Sequence, residues 1–403
     1  MNRSAPKWST LLLVLLLALW SAPLGCSGTA LENQSEGNQG DGQEGGDDEE
    51  EEGPAAQRFE TIFTEPEVGS PDDAIGAALI ALLEQTPEGA QVRGAFFSFS
   101  REAVAQAFVD AYERGVDVKV VVGNTNQNSS GGDWSAVAVL REGLGDALTV
   151  CRDGQSSGAC IGTNINHNKF VVFSELEDGS ENVVFQSSGN ITNFQLLQYD
   201  NVLVVYGDRS LYRGFRQYWS DLRRQELKPD YNGYVAGDAE VEAYFSPYSA
   251  GDPVHEDLLK VDCTQGGEVY LAMAFFTNYR AAIAERLREM DQEGCVVGVL
   301  LRSSEINSPG TQIGNNLIQG TIDVGYFSSS VEIQLHSKYL IYRGVLRGES
   351  EPSHVVWTGS HNYTRSALYE NDEVLLRAQD EEVFEAYRAN WVWMRERAAT
   401  LHP

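Results

Sequence analysis

Basic side chains are scarce in this chain. Lys and Arg total 29 against 59 Asp and Glu, a formal charge of −30. Residues 1–58 hold three basic and ten acidic side chains, so 26 basic and 49 acidic remain beyond them, a net of −23. A body of that sign repels polyanions at long range, which weighs against a general nucleic-acid binder while leaving room for a local cationic cleft. No Cys-x-x-Cys or clustered His/Cys spacing is there to hold a metal. The apolar run Leu11–Leu19 is too short to span a bilayer comfortably. What remains is ordinary globular composition, 42% apolar and 10% aromatic over 403 residues, enough for two domains.

The first 58 residues read as a targeting segment and a tether. Arg3 and Lys7 precede the apolar run and small residues follow it, the pattern of a secretory signal over residues 1–26. Leu24-Gly25-Cys26 resembles the end of a bacterial lipoprotein signal, in which Cys26 is lipidated, although Pro23 stands where Leu is usual. The alternative is ordinary secretion with cleavage after Ala22 or Gly25. Residues 27–58 are rich in Gly, Gln, Asn and Ser, include the acidic run Asp47–Glu52, and have almost nothing apolar to bury. An exported protein held to a membrane, periplasmic or at the cell surface, is the expectation. Without Cys26 the cysteines are Cys151, Cys160, Cys263 and Cys295; neighbours in sequence would give one local bridge per half, but three pairings are open.

From Phe59 onward one pattern runs twice. Glu60–Pro66 and Glu242–Pro247 are followed by helical stretches (Ala74–Leu83, Val254–Val261) and strands (Val92–Phe99, Glu268–Phe276). Amphipathic helices (Arg101–Arg114, Tyr279–Gln292) and further strands (Val116–Val122, Cys295–Leu301) come next. Alternation of this kind predicts βαβ units and a mostly parallel sheet. Equivalent points lie 182, 169 and 172 residues apart at Phe63/Phe245, His167/His336 and Asn190/Asn362, so the chain is a tandem duplication with domains over 59–230 and 231–403.

Both halves carry one motif. The first reads His167-Asn168-Lys169 opening an apolar run, then Gln186-Ser187-Ser188-Gly189-Asn190. The second reads His336-Ser337-Lys338, then Thr358-Gly359-Ser360-His361-Asn362. With only six His and six Lys in the chain, two His-x-Lys pairs arise by chance in roughly 0.3% of shuffles. His and Lys two apart on a strand share a face. Converged, the set offers two imidazoles, two ammonium groups and two carboxamides. Phosphodiester cleavage needs that inventory: a nucleophile, an acid for the leaving group, and cations on the non-bridging oxygens. No acidic cluster of metal-binding type accompanies it, so no metal or other cofactor is expected.

At these residues the sequence resembles the phospholipase D superfamily, whose signature is His-x-Lys, a spaced Asp, then Gly/Ser-Ser/Gly-x-Asn. The resemblance covers about residues 59–400. It implies two tandem α/β sandwich domains related by a pseudo-twofold axis, with one active site at their interface. It further implies that His167 or His336 forms a phosphohistidine while the other serves as acid and base, and that Lys169, Lys338, Asn190 and Asn362 clamp the phosphate. Ser188, Ser360 and Asn201, whose side chains are neutral donors, read as further contacts to the substrate. The signature Asp would fall at Ser174 and Gly344, and the tyrosyl-DNA phosphodiesterases lack it likewise.

Eleven residues past the Asn, family members usually carry an acid that orients the motif's own His. The second half has Glu373 there and the first has Asn201. A carboxylate raises imidazole basicity and a carboxamide does not. The expectation is therefore that His167 is the neutral nucleophile and His336, backed by Glu373, the general acid; the alternative is that Asp200 swings in and the halves are equivalent. His255, His354 and His402 read as surface or tail residues, His361 as part of the Asn-bearing turn, and the aromatics Tyr387, Trp391 and Trp393 as packing. The loops Asn124–Asp133 and Ser303–Tyr326 would rim the entrance. The substrate expected is phospholipid, with nuclease action and a non-catalytic phosphate-binding surface protein as alternatives; no obligate protein partner is evident.

Overall fold

The computed structural model describes residues 58–124, 126, 134–153, 158–238, 240–302, 312–328 and 331–400. The signal segment, Cys26, nearly all of the tether, His402, and parts of both entrance loops fall outside the described residues.

The first lobe is a seven-stranded sheet. Its strands are β1 (Arg58–Phe63), β2 (Gln91–Phe96), β3 (Asp117–Val122), β4 (Leu148–Val150), β5 (Lys169–Glu175), β6 (Glu181–Ser187) and β8 (Asn201–Tyr206), in the order β1-β8-β6-β5-β2-β3-β4. The short β7 (Gln198–Tyr199) stands apart. The second lobe has β9 (Gly233–Ala236), β10 (Val241–Ser246), β11 (Val261–Asp262), β12 (Glu268–Met273), β13 (Val296–Arg302), β14 (Asp323–Phe327), β16 (Lys338–Leu346), β17 (Pro352–Gly359), β18 (Glu373–Gln379) and β19 (Ala399–Thr400). They form a ten-stranded sheet, β19-β14-β13-β12-β16-β17-β18-β10-β9, with β11 on β16. The expectation of a mostly parallel sheet does not hold. Within the two large sheets only β2-β3-β4 and β12-β13-β14 are parallel, and the other pairs there are antiparallel. Parallel pairing needs a crossover, and a helix intervenes between each of those parallel neighbours, whereas β5–β6 and β16–β17 close through short turns.

Two helices lie between the sheets. Helix Arg209–Arg224 is capped by the Asp208 carboxylate on the Leu211 N–H, and helix Glu381–Arg395 by Asp380 on the Val383 N–H. The first buries Leu211, Phe215, Tyr218, Trp219 and Leu222, and the second Val383, Phe384, Tyr387, Trp391 and Met394, at helical spacing. Both faces enter one core with Phe170 and Val172 of β5 and Tyr339 and Ile341 of β16. Each large apolar side chain so buried contributes about 1.5–3 kcal/mol. The internal symmetry is exact enough to repeat single bonds: Trp219 Nε1 donates to Gly94 O at 2.9 Å, and Trp391 Nε1 to Leu271 O at 3.0 Å. The aromatics of the C-terminal helix are therefore packing, as expected, with Trp393 partly buried against the same core.

The alternate residues of the same strands face outward. Val171 and Phe173 pack under helices Ala74–Glu84 and Glu102–Glu113, and Leu340 and Tyr342 under helices Pro253–Leu258 and Ala281–Glu293. Burial on both faces is why the runs after each His-x-Lys are continuously apolar. Disulfides join Cys151 to Cys160 and Cys263 to Cys295, one in each lobe. No helix among the described residues is long and apolar enough to cross a membrane.

Candidate active site

The strands present both motifs at one seam. β15 (Gln334–Leu335) pairs in parallel with β7, so that His336 N donates to Tyr199 O at 3.0 Å. Its counterpart is the bridge from Asn166 to Asp372, where His167 N donates to Asp372 O at 2.9 Å. Each His is thus carried to the residue just before an acid of the other lobe. His167 Nδ1 lies 2.7 Å from Glu373 Oε2, and His336 Nδ1 lies 2.8 Å from Asp200 Oδ1.

The expectation that Glu373 backs His336 is therefore corrected: Glu373 backs His167, across the seam, and the alternative holds in which Asp200 supplies the second carboxylate. The register explains the miss. Asn201 N and Val374 N donate to Ser188 Oγ and Ser360 Oγ, which makes Asp200 the structural equivalent of Glu373. The connection after Asn190 is a tight 3₁₀ turn, Asn193–Leu197, while that after Asn362 is an α-helical turn, Arg365–Tyr369. The second connection is one residue longer, so equal counting from the Asn lands on Asn201.

Asn201 does other work. Its Nδ2 donates to Thr358 Oγ1 at 2.6 Å and reaches Tyr387 OH at 3.1 Å, and its Oδ1 accepts from Lys338 N, all across the seam. Ser188 and Ser360 are likewise corrected as substrate contacts. Each hydroxyl donates to a carboxylate, Asp200 Oδ1 or Glu373 Oε2, at 2.7 Å and accepts a backbone N–H, which leaves no proton for a ligand.

The lysines close the floor. Lys169 Nζ donates to His167 O at 2.6 Å and stands 5.4 Å over the Phe97 ring. Lys338 Nζ donates to His336 O at 2.8 Å, touches Ser188 O at 3.2 Å, and lies 3.1 and 3.2 Å from the two nitrogens of the His336 ring. Asn190 Oδ1 and Asn362 Oδ1 are buried without a partner. Gln195 is a member that nothing in the sequence marked: its Nε2 bonds Asp200 Oδ2 at 2.9 Å and reaches His336 Nδ1 at 3.0 Å. A cavity of about 440 Å³ lies beside Asn190, bordered by Ser98, Trp134 and the exposed Phe194. The larger cavity of about 670 Å³, near Arg58 and Asp380, holds none of these residues.

Burial sets the protonation states. It pushes His167 and His336 down to about 4 despite their carboxylates, with the neighbouring ammonium groups adding to the effect. Burial pushes Lys338 down to about 8 and Lys169 well below its ordinary value. Burial would raise Asp200 and Glu373, but the imidazoles and lysines outweigh it and hold both carboxyls low. Each imidazole is thus neutral, with its Nδ1 proton on a carboxylate and a lone pair on Nε2.

This makes the fold acid-sensitive. His167, His336 and His361 all lie near 4 in the folded chain, mainly through burial, against about 6.5 when unfolded. Asp372 works the other way, pushed up to about 7 by burial against three backbone N–H bonds. Between pH 6.5 and 4.5 unfolding takes up three protons and returns one. Stability is expected to fall by up to about 2.7 kcal/mol per unit as pH drops through that window. Urea unfolding at pH 6.5, 5.5 and 4.5 measures it, and a flat profile would show the imidazoles to be charged in the fold.

Two lobes of mixed sheet and helix, with paired His, Lys and Asn meeting at one seam, define a duplicated phosphodiesterase-type architecture. The family described as cardiolipin synthase, PLD-like domain, matches the chain twice, over residues 79–223 and 264–394. The chain belongs to this family of PLD-like domains and thereby to the phospholipase D superfamily. Phosphatidylserine synthase of Haemophilus influenzae Rd KW20 superimposes with a TM-score of 0.58 at 12% identity, covering 85% of this chain and 87% of its own. Polyphosphate kinase of Porphyromonas gingivalis gives 0.53 at 11% identity, with 82% of this chain covering 49% of the kinase, so the chain spans about half that enzyme's length. At such identities the two establish a shared fold. No curated protein matches the sequence.

Proposed function

We propose that this protein is a metal-independent phosphodiesterase that hydrolyses the headgroup phosphodiester of phospholipids through a phosphohistidine. The observation that carries the reading is the pair of imidazole–carboxylate couples meeting across the seam, with a lysine beside each. Lys338 lies against His336 Nε2, whereas no described side chain bonds His167 Nε2. That asymmetry, and not the carboxylates, favours His167 as nucleophile.

In the first step His167 Nε2 attacks phosphorus, the P–O bond to the alcohol breaks, and His336 Nε2–H protonates the departing oxygen. In the second, His336 removes a proton from water, the resulting hydroxide displaces His167 from phosphorus, and a phosphate monoester leaves. Lys169 and Lys338 hold the non-bridging oxygens, with the carboxamide N–H groups of Asn190 and Asn362. The arriving anion raises the pKa of His336, which lets it carry the proton it must donate.

Support for a lipid substrate comes from the phosphatidylserine synthase of similar fold, from the apolar rim of Phe194 and Trp134 beside Asn190, and from a signal segment that would place the site at a membrane through lipidated Cys26. The test sets release of choline, ethanolamine or glycerol from vesicles against plasmid nicking in EDTA. Nicking without headgroup release would replace this reading with a nuclease, and inactivity on both with a phosphate-binding surface protein.

Within this scheme, Glu373→Gln and Asp200→Asn should each lower kcat at least about 100-fold with little change in KM, since each leaves its imidazole uncharged at the back. Steady-state kinetics on a water-soluble diester measure it. Full activity of either variant would remove that carboxylate from the mechanism.

A further inference from the structure

We propose that His361 is a third imidazole of this site, a neutral N–H donor to an oxygen of the bound phosphate. The inference rests on the phosphate-binding part of the reading above and not on turnover.

His361 stands in the turn between Ser360, whose hydroxyl holds Glu373, and Asn362, a member of the expected clamp. Its ring is only 1% exposed, and its Nε2 is buried with no hydrogen-bond partner. The proton can be placed. Arg280 Nη1 lies 3.2 Å from His361 Nδ1, and a guanidinium only donates, so Nδ1 accepts and the proton sits on Nε2. Arg280 is itself fixed: its Nε and Nη2 bond the two oxygens of Asp252 at 2.7 and 2.5 Å, and its guanidinium lies 4.2 Å from the centre of the Tyr363 ring. A buried ion pair therefore locks the tautomer that presents a donor.

The surroundings say where that donor is used. His361 is within electrostatic reach of both Glu373 and His167. Burial and then Arg280 keep the ring uncharged, so it can hydrogen-bond an anion without adding a cation. A buried N–H with no partner is costly, and an oxygen from a ligand removes that cost. The first lobe has no counterpart. Gly189 holds the equivalent position, and a Cβ there would come within 2.8 Å of the Asp200 carboxyl carbon. The donor is one-sided, so it adds to the asymmetry by which the seam distinguishes the two ends of a diester.

The test uses the full chain and inorganic phosphate. With ¹⁵N-labelled histidine, the His361 Nε2–H resonance is expected to shift on saturation with phosphate. By calorimetry, His361→Leu is expected to weaken phosphate binding about 10- to 100-fold, the worth of a hydrogen bond to a charged group. His361→Gln, which keeps a neutral donor, is expected to recover most of that loss. If both variants unfold, the resonance of the parent decides alone. Phosphate binding that leaves Nε2 unmoved, or a parent that binds no phosphate, overturns the proposal. Phosphate binding with the shift but no hydrolysis of any diester upholds it and sinks only the activity.

Discussion

His167→Asn is expected to lower kcat on any phosphodiester at least about 10³-fold, because it deletes the atom that forms the bond to phosphorus. His336→Asn should lose as much with an alkoxide leaving group and far less with p-nitrophenolate, which departs without a proton. With that activated substrate the two variants part. His336→Asn should accumulate label on His167, since no base remains to activate water, whereas His167→Asn should take no label at all. Acid-quenched protein, digested and sequenced, reads the outcome. Label on His336 in the parent would reverse the assignment, and unlabelled parent under every condition would remove the covalent step. Both imidazoles are buried, so the melting temperature of each variant is compared with the parent's to separate a loss of chemistry from a loss of fold.

The largest effect on folding is expected at Asp372, which takes no part in the chemistry. Its carboxylate crosses the seam to accept the N–H groups of Cys160 at 2.5 Å, Gly162 at 2.5 Å and Ile161 at 3.2 Å, and its backbone oxygen takes His167 N. Cys160 is tied in turn to Cys151 by a disulfide. Gly162 must be glycine for this approach, since a Cβ there would meet Glu370 O at 2.3 Å. Asp372→Ala strands three buried donors of the loop that leads into His167. A loss of about 3–5 kcal/mol follows, or roughly 4–7 °C in Tm for a folded body of this size. Scanning calorimetry measures it, and Asp372→Asn, which keeps one acceptor oxygen, should lose less. A melting temperature within a degree of the parent would show that the loop is held by its disulfide and not by the carboxylate.

Much of the architecture is legible from local residues. The spacing of Phe63/Phe245 and Asn190/Asn362 marks the duplication, and the run after each Lys shows strands buried on both faces. Those signals rest on periodicity and on residue chemistry, which are local. The direction of the strands was not legible, because alternation of helix and strand says nothing of which neighbours pair through a hairpin. Residue type alone points Ser188, Ser360 and Asn201 at the ligand, and the fold instead spends their hydrogen bonds on the carboxylates and the seam.

By itself the sequence determined the family of fold, the repeat, and the imidazoles, lysines and carboxamides that compose the site, since a rare residue pair repeated with its flanks survives without coordinates. Only the tertiary structure decided which carboxylate serves which imidazole. That choice depends on two pairings across the seam, β15 with β7 and Asn166 with Asp372, between segments more than a hundred residues apart. It depends as well on the connection from Asn190 to Asp200, wound as a 3₁₀ turn, being one residue shorter than that from Asn362 to Glu373, wound as an α-helical one, a difference that the identities of the residues do not reveal.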